Sequence, residues 1–421
     1  MFGLMRAPRS VLIGLGQRKA LADYARKTGK RALICTDARL ANDVNFLAMR
    51  ESLHAAGIET LVYDRTLPDL PTESISECVE LARSFDADHV IGIGGGSVID
   101  MAKIAALLLT HKQPVSDFYG EFKVPGPILP VIAVPTTAGT GSEVTPVAVV
   151  SDTGRGLKIG ISSPYLIPEV AICDAELTLS CPASLTAYSG ADALTHAIEA
   201  YTAVTRGRNP GLSNANVFIG KNILSDQWAI TAIRSIWPNL KKAVDNGSDI
   251  DAREQLMLGS LAAGCAFGTA GTAAAHAIQY PVGNLTHTPH GMGVATLLPY
   301  VMSYNRRACG KEYAQLARVL GMDKTGSDSD EVLSRAFIAA TEELFSDIGI
   351  PATLKDLGLQ EDKIAWTATA AFEAKRLIDN NPRPLDVAAL ESIARAAYYG
   401  DRHSLDTGAA ADIQTSKEQF V

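Results

Sequence analysis

Apolar and polar positions change rhythm once along this chain. Between residues 10 and 180, short apolar runs alternate with segments of helical period. Residues 32–35, 59–62, 89–93 and 129–134 read as strands. Stretches such as SISECVELARSF and SVIDMAKIAALLL read as the helices between them. Strand–helix alternation at this spacing predicts a parallel sheet covered on both faces. Residues 147–172 depart from it: VAVVSD, LKIGISS and EVAICD predict a β excursion. From about Thr186 long Ala/Leu-rich helical segments take over, reaching to about residue 400. The closing DRHSLDTGAAADIQTSKEQFV is polar and is expected to be a loosely held tail. The fold class expected is therefore an α/β dinucleotide-binding domain with a parallel sheet at residues 1–183, followed by an all-α domain at 184–421. Two domains also suit a chain of 421 residues.

Ligands of open parallel sheets bind beyond the carboxyl ends of the strands. Three stretches fit that place: Thr36-Asp37, Gly94 to Ser97, and PTTAGTGSEVT after the fourth strand. In HVIGIGGGSVIDMAK, Gly94, Gly95 and Gly96 make the turn and Ser97 is expected to open a helix. Glycines let a ligand approach the backbone, and the free amides at a helix start favour a phosphate. The plainer alternative is a strand-to-helix turn with a serine cap, though three successive glycines exceed what a cap needs. The better-known GxGxxG is absent, and Gly14-Leu15-Gly16 lacks its third glycine.

The helical half carries its own chemistry. GADALTHAIEAY places Asp192 and His196 four residues apart, on one helical face. His276 follows in TAAAHAIQYP and His290 in THTPHGMG. Three imidazoles and a carboxylate suit a divalent transition metal such as Fe(II) or Zn(II). A single helical Asp/His pair is more often a core or surface feature; the phosphate-type turn upstream strengthens the metal reading. A cleft between the two domains is the expected meeting place.

Bulk composition narrows the remaining classes. With 47% hydrophobic and 20% charged residues and a net charge of −8, the chain reads as soluble and globular, with no basic stripe for nucleic acid. No apolar run reaches the length of a membrane span. The opening MFGLMRAPRSVLIGLG lacks a long apolar region, so no signal peptide is expected. Cys35, Cys78, Cys173, Cys181, Cys265 and Cys309 form no CxxC, which suggests free thiols and a cytoplasmic setting.

In their order, GGGSVIDMAK, PTTAGTGSEVT, PEVAICDAELTLSCP, GADALTHAIEAY, GTAGTAAAHAIQYPVG, THTPHGMG and NNPRP resemble the iron-containing (group III) alcohol dehydrogenase family from about residue 10 to 385. The resemblance implies NAD as cofactor, a small alcohol or aldehyde as substrate, and a homo-oligomer, by likeness a dimer. It implies that Asp192, His196, His276 and His290 hold Fe(II), or Zn(II) in some members. Gly94 to Ser97 would cradle the pyrophosphate, with Thr136, Thr137, Thr140, Thr145 and Lys158 on the cofactor side. Asp37 would meet the adenosine ribose, its alternative being a helix cap. Phe267 aligns with an aromatic near the active site, and core packing is its alternative. Val147 is apolar where some diol-specific members carry a polar side chain.

One position departs from the family. Many members have a further His four residues after the third ligand, and here that residue is Tyr280. Its ordinary pKa near 10 suits a proton relay less well than the 6.5 of His. Pro281 is expected to end the helix there. His287, three residues before His290, is a second candidate for proton transfer. The activity implied is alcohol–aldehyde interconversion by hydride transfer. Hydroxyacid or semialdehyde oxidoreduction is a neighbouring alternative that a basic residue in the pocket would favour. A dehydroquinate-synthase-like lyase and a non-catalytic nucleotide-binding scaffold are more distant ones.

Overall fold

A computed structural model describes residues 2–207 and 209–407. Its main sheet has six parallel strands in the order β1-β9-β6-β4-β2-β3. These are β1 (Ser10–Ile13), β2 (Arg31–Cys35), β3 (Glu59–Tyr63), β4 (His89–Gly94), β6 (Val131–Pro135) and β9 (Val170–Cys173). A small second sheet joins β5 (Gly120–Glu121), β8 (Leu157–Ser162) and β7 (Val147–Asp152). The four expected strands are all present, shifted at their ends by at most two residues. The first strand, β1, carried too short an apolar run to register; it lies at the edge, with alternate positions half-buried and exposed.

The β excursion needs correction. VAVVSD and LKIGISS do form an antiparallel hairpin, β7 with β8. EVAICD instead returns to the main sheet as β9, between β1 and β6. All four β9 residues are buried, as a strand packed on both faces requires.

The order of the strands fixes where ligands can enter. The chain runs outward from β2 to β3 and then crosses back to place β4 on the other side of β2. The crevice at this reversal lies between the ends of β2 and β4. Thr36 closes its base by donating its hydroxyl to the Ile93 carbonyl at 2.9 Å. Apolar clusters cover the sheet on both faces, one around Leu33, Val90 and Ile104, the other around Ile34, Ile91 and Ile132.

After residue 183 the described chain is helical apart from short connections. Helix Ala183–Thr202 is buried without interruption from Gly190 to Thr202, which marks it as the central element. Helix Ile250–Ala270 packs beside it, and its small residues allow close approach to the α/β half. Gly141, at a left-handed φ of 60°, lies so near Gly264 that a Cβ on Gly141 would meet the Gly264 Cα at 2.5 Å. Val144, Cys173, Met257 and Leu261 form one apolar cluster across this junction. At Gly271 the chain turns by 103° into helix Ala274–Thr286. No single helix among the described residues is long and apolar enough to cross a membrane.

Two further expectations are revised. Pro281 does not end its helix, which continues to Thr286. The buried faces of Ala277, Ile278 and Val282 hold the helix through the missing N–H. The start of the polar tail is also held. Residues His403–Thr407 form a short helix whose Asp406 pairs with Arg306 and Arg335, both at 3.0 Å, while Leu405 is buried. The remaining tail residues, 408–421, lie outside the described residues. All six cysteines are free and buried.

Candidate active site in the cleft between sheet and helices

Three elements bring the proposed metal ligands together. Asp192 and His196 sit in the buried stretch of helix Ala183–Thr202, His276 in the first turn of Ala274–Thr286, and His290 at the start of His290–Val319. Ligand atoms of Asp192, His276 and His290 lie within 4.8 Å of one another. The Asp192 Oδ1 is 3.7 Å from His196 Nε2, 3.7 Å from His276 Nε2 and 3.9 Å from His290 Nε2. His196 stacks between the Phe267 and His276 rings, with centroids at 4.3 and 4.7 Å. Asp192 Oδ1 and His276 Nε2 are buried without any hydrogen-bond partner. Buried polar atoms are rarely left so, and a shared cation would satisfy both. The donor set therefore fits a divalent metal.

Behind this group stands Glu199, which sequence reading missed. Its Oε2 lies 2.6 Å from His276 Nδ1, and its two oxygens accept the N–H groups of Ala273 and Ala275 at 2.9 and 2.8 Å. It thereby fixes the ring of His276 and leaves Nε2 pointing at Asp192. The signal was present: Glu199 falls three residues after His196, on the same face. Charge follows the geometry. Burial lowers His196 to about 4 and His290 to about 3, so both are neutral and able to ligate near pH 7. Burial also depresses His276, but Glu199 and Asp192 outweigh it and raise the ring to about 9. Burial opposes ionisation of Asp192, yet the three imidazoles hold its carboxyl below the usual range.

The other wall of the cleft is the glycine turn. Helix Gly96–Thr110 starts one residue earlier than expected, and no side chain caps it. Ser97 accepts the Asp69 N–H at 3.2 Å and does not cap its own helix. The Val98 N–H goes to the Gly95 carbonyl at 3.0 Å, which leaves the Gly96 and Ser97 amides for an anion. Part of the glycine requirement is internal, since a Cβ on Gly96 would meet Thr140 Cγ2 at 2.6 Å. Gly96, Ser97, Thr140, Thr145 and Lys158 line the cleft. Gly94, Gly95, Thr136 and Thr137 lie just behind: Thr136 N–H donates to the Gly94 carbonyl at 3.0 Å, and Thr137 faces Gly95. Asp37 stands at the end of β2, where one oxygen accepts the N–H groups of Arg39 and Leu40, both at 2.9 Å. It therefore does cap the following turn, and its second oxygen has no hydrogen-bond partner among the described residues.

Asp69, Asp100 and Lys103 complete this wall and escaped the sequence reading. Asp69 pairs with Lys158 at 2.7 Å. Asp100 accepts the Ser142 hydroxyl and the Val149 N–H. Lys103 is fully buried and donates to Ser142 Oγ and to the carbonyls of Thr145 and Val147. It ties the PTTAGTGSEVT loop to the helix below the turn.

Comparison with known proteins shows the family. Residues 8–175 match the iron-containing alcohol dehydrogenase family, and residues 186–398 match the C-terminal part of the Fe-containing alcohol dehydrogenase family. The chain belongs to the iron-containing alcohol dehydrogenase family. It is 37% identical over 393 residues to long-chain-alcohol dehydrogenase 1 of Geobacillus thermodenitrificans, covering 92% of this chain and 95% of that protein. A crystal structure of a 1,3-propanediol oxidoreductase superposes with a TM-score of 0.88 at 33% identity, covering 94% of this chain and all of the other. A sulfoacetaldehyde reductase from Bifidobacterium kashiwanohense, in complex with NAD+, gives 0.79 at 28% identity, covering 94% and 99%. The chain is thus an enzyme, an oxidoreductase of the iron-type alcohol dehydrogenases.

Val147, Phe218, Phe267, Thr272, Tyr280 and Arg376 also line the cleft. The Tyr280 ring lies 6.3 Å from that of His290. Burial raises the Tyr280 hydroxyl above its usual pKa, so it stays protonated at neutral pH. His287 is not brought into the cleft. It is exposed, with a left-handed φ of 53°, and ends helix Ala274–Thr286. The chain reverses there to deliver His290 inward.

Proposed function

We propose that this enzyme interconverts a small alcohol and its aldehyde with NAD(H). In this reading Asp192, His196, His276 and His290 hold a divalent iron, or zinc in its place. The observation that carries it is the convergence of unpartnered Asp192 and His276 atoms on the cleft whose opposite wall is an uncapped helix start. When bound, the metal would draw electron density from the substrate oxygen and the nicotinamide would exchange the hydride. The protein's own residues position and enclose. Gly94 to Ser97 receive the pyrophosphate, with Thr136, Thr137, Thr140, Thr145 and Lys158 around it. The spare oxygen of Asp37 receives the adenosine ribose. Phe267 and Val147 exclude water beside His196. Tyr280, held protonated, offers a hydrogen bond to the substrate oxygen; His287 has no part in this route. Residues 1–183 then carry the cofactor and residues 184–421 the metal. The relative solved with NAD+ supports the cofactor.

Val11, Ile13 and Leu15, at and just beyond the edge strand β1, are 40, 41 and 43% exposed, which supports pairing with a second copy along that edge. Free buried thiols support a reducing, cytoplasmic setting. The test is a panel of alcohols and aldehydes with Fe(II)-loaded enzyme, read by NADH absorbance. Turnover that follows metal content supports the reading; full turnover in metal-stripped protein would overturn it.

A further inference from the structure

The substrate end of the cleft contains a charge with no counter-ion among the described residues. Arg376 lies in the short helix Lys375–Ile378 and reaches the cleft beside Tyr280 and Phe218. Its guanidinium stands 4.3 Å over the buried ring of Phe218. Stacking of this kind fixes the plane of the fork without using its N–H donors. Among the described residues no hydrogen bond or ion pair engages those donors.

The cleft's other charges are committed. Lys158 is paired with Asp69 on the cofactor side. Asp100 is taken by Ser142 and Val149. Asp192 lies among the imidazoles. Phe218 lies against Arg376, and the only carboxylates among the described residues of the cleft lining are those three aspartates. A half-buried guanidinium in apolar surroundings and without a counter-ion favours an anion brought by the ligand. Arg376 shares the cleft lining with Tyr280, whose ring lies 6.3 Å from that of His290.

We infer that the substrate is an aldehyde or alcohol with an anionic tail, a carboxylate or sulfonate, and that Arg376 binds that tail while the carbonyl end meets the His276–His290 side. This rests on the function proposed above and narrows its substrate class. The reaction is unchanged: NADH and one proton reduce the aldehyde to the alcohol, giving NAD+, and the tail takes no part in bond making. Planar, bidentate recognition of an oxyanion is the task for which arginine differs from lysine. The tail adds a charged hydrogen-bonded contact, and its loss should be felt in KM more than in kcat, because it is made equally before and during hydride transfer.

The test compares succinic semialdehyde with its neutral methyl ester and with butanal, using metal-loaded enzyme and NADH. Wild-type kcat/KM should favour the carboxylate by about 10- to 100-fold. R376A should bring the carboxylate-to-ester ratio near one through KM, leaving the ester and butanal little changed, and R376K should keep part of the preference. A role of Arg376 in packing alone would lower all three substrates together. Malonic and glutaric semialdehydes set the tail length. Reduction of butanal and the ester without preference for any acid, or an acid preference that survives R376A, overturns the inference and leaves the proposed function standing. If no aldehyde is reduced at all, the proposed function falls. Calorimetric binding of succinate to the holoenzyme then decides the inference: affinity that drops about tenfold in R376A supports it, and no binding, or binding indifferent to Arg376, overturns it.

Discussion

Glu199 holds His276 by a 2.6 Å contact to Nδ1, while the same carboxylate takes the backbone N–H groups of Ala273 and Ala275 at the start of that helix. One buried side chain thus sets both the orientation of the imidazole proposed to bind metal and the entry of the chain into its helix. Partners of this kind are worth about 10- to 100-fold in metal affinity. Glu199→Gln keeps the shape and loses the charge. The variant should fold, bind metal about 10- to 100-fold more weakly in a chelator competition, and regain activity as free metal is raised. Unchanged affinity would assign Glu199 to the backbone contacts alone.

Removal of a ligand should be harsher. His276→Ala or His290→Ala should drop the metal content well below one ion per chain and abolish most turnover, because the site opens and loses a donor. Circular dichroism should remain that of the native fold. Wild-type activity without bound metal would refute the assignment.

Cofactor choice should follow Asp37. A 2′-phosphate near its free oxygen would cost roughly 1–3 kcal/mol after partial screening, or about 5–150-fold in affinity for NADP against NAD. Asp37→Asn is the cleaner variant, since it keeps the acceptor for Arg39 and Leu40 while removing the charge. It should narrow the gap in kcat/KM, whereas equal use of both cofactors by the unmutated enzyme would count against the role.

Burial raises the Tyr280 hydroxyl above its usual pKa, so at neutral pH it is suited to donate a hydrogen bond rather than to act as a base. Tyr280→Phe should lower kcat by about tenfold or more, with a smaller change in KM, and leave the shape of the pH–rate profile between neutral and mildly alkaline pH intact. Tyr280→His should introduce a new ionisation. If Tyr280→Phe leaves kcat unaltered, the ring only packs beside His290.

Glu143 makes a prediction about stability. It is buried beside the Gly141–Gly264 junction with one carboxylate oxygen unpartnered, and burial raises it to about 7. A carboxyl raised in the folded state costs nothing below its ordinary pKa, where both states are protonated. The cost grows as pH rises through 4.5 toward 7 and is then constant. Glu143→Gln removes it. The stability of the variant relative to wild type should rise by about 1–3 kcal/mol between mildly acidic pH and pH 8. A difference that does not change with pH would show that Glu143 titrates normally.

Much of the fold was legible because it depends on local periodicity. The central strands β2, β4 and β6 announce themselves as buried apolar runs, the edge strand β3 as a shorter-buried apolar run, and helix Ala183–Thr202 as a long Ala-rich segment. β1 and β9 were harder. β1 is a short edge strand, and β9 follows a hairpin that it does not join. No local pattern tells a strand which neighbour it will pair with, since pairing between β9 and β6 is decided by the packing of both sheet faces. Pro281 shows the same limit from the other side: its local preference to end a helix loses to the burial of Ile278 and Val282.

The sequence by itself determined the chemistry available: a glycine turn after an apolar strand, and a carboxylate with three imidazoles on helices. These follow from residue type and spacing, which are local. Tertiary structure alone decided which of them meet. It brought His276 and His290 to Asp192, set Glu199 behind His276, turned His287 outward and left Arg376 in the cleft with no ion pair among the described residues. Those contacts join residues far apart in the chain, so they depend on how the helices pack and on the sharp turn at Gly271, and no periodicity along the chain records them.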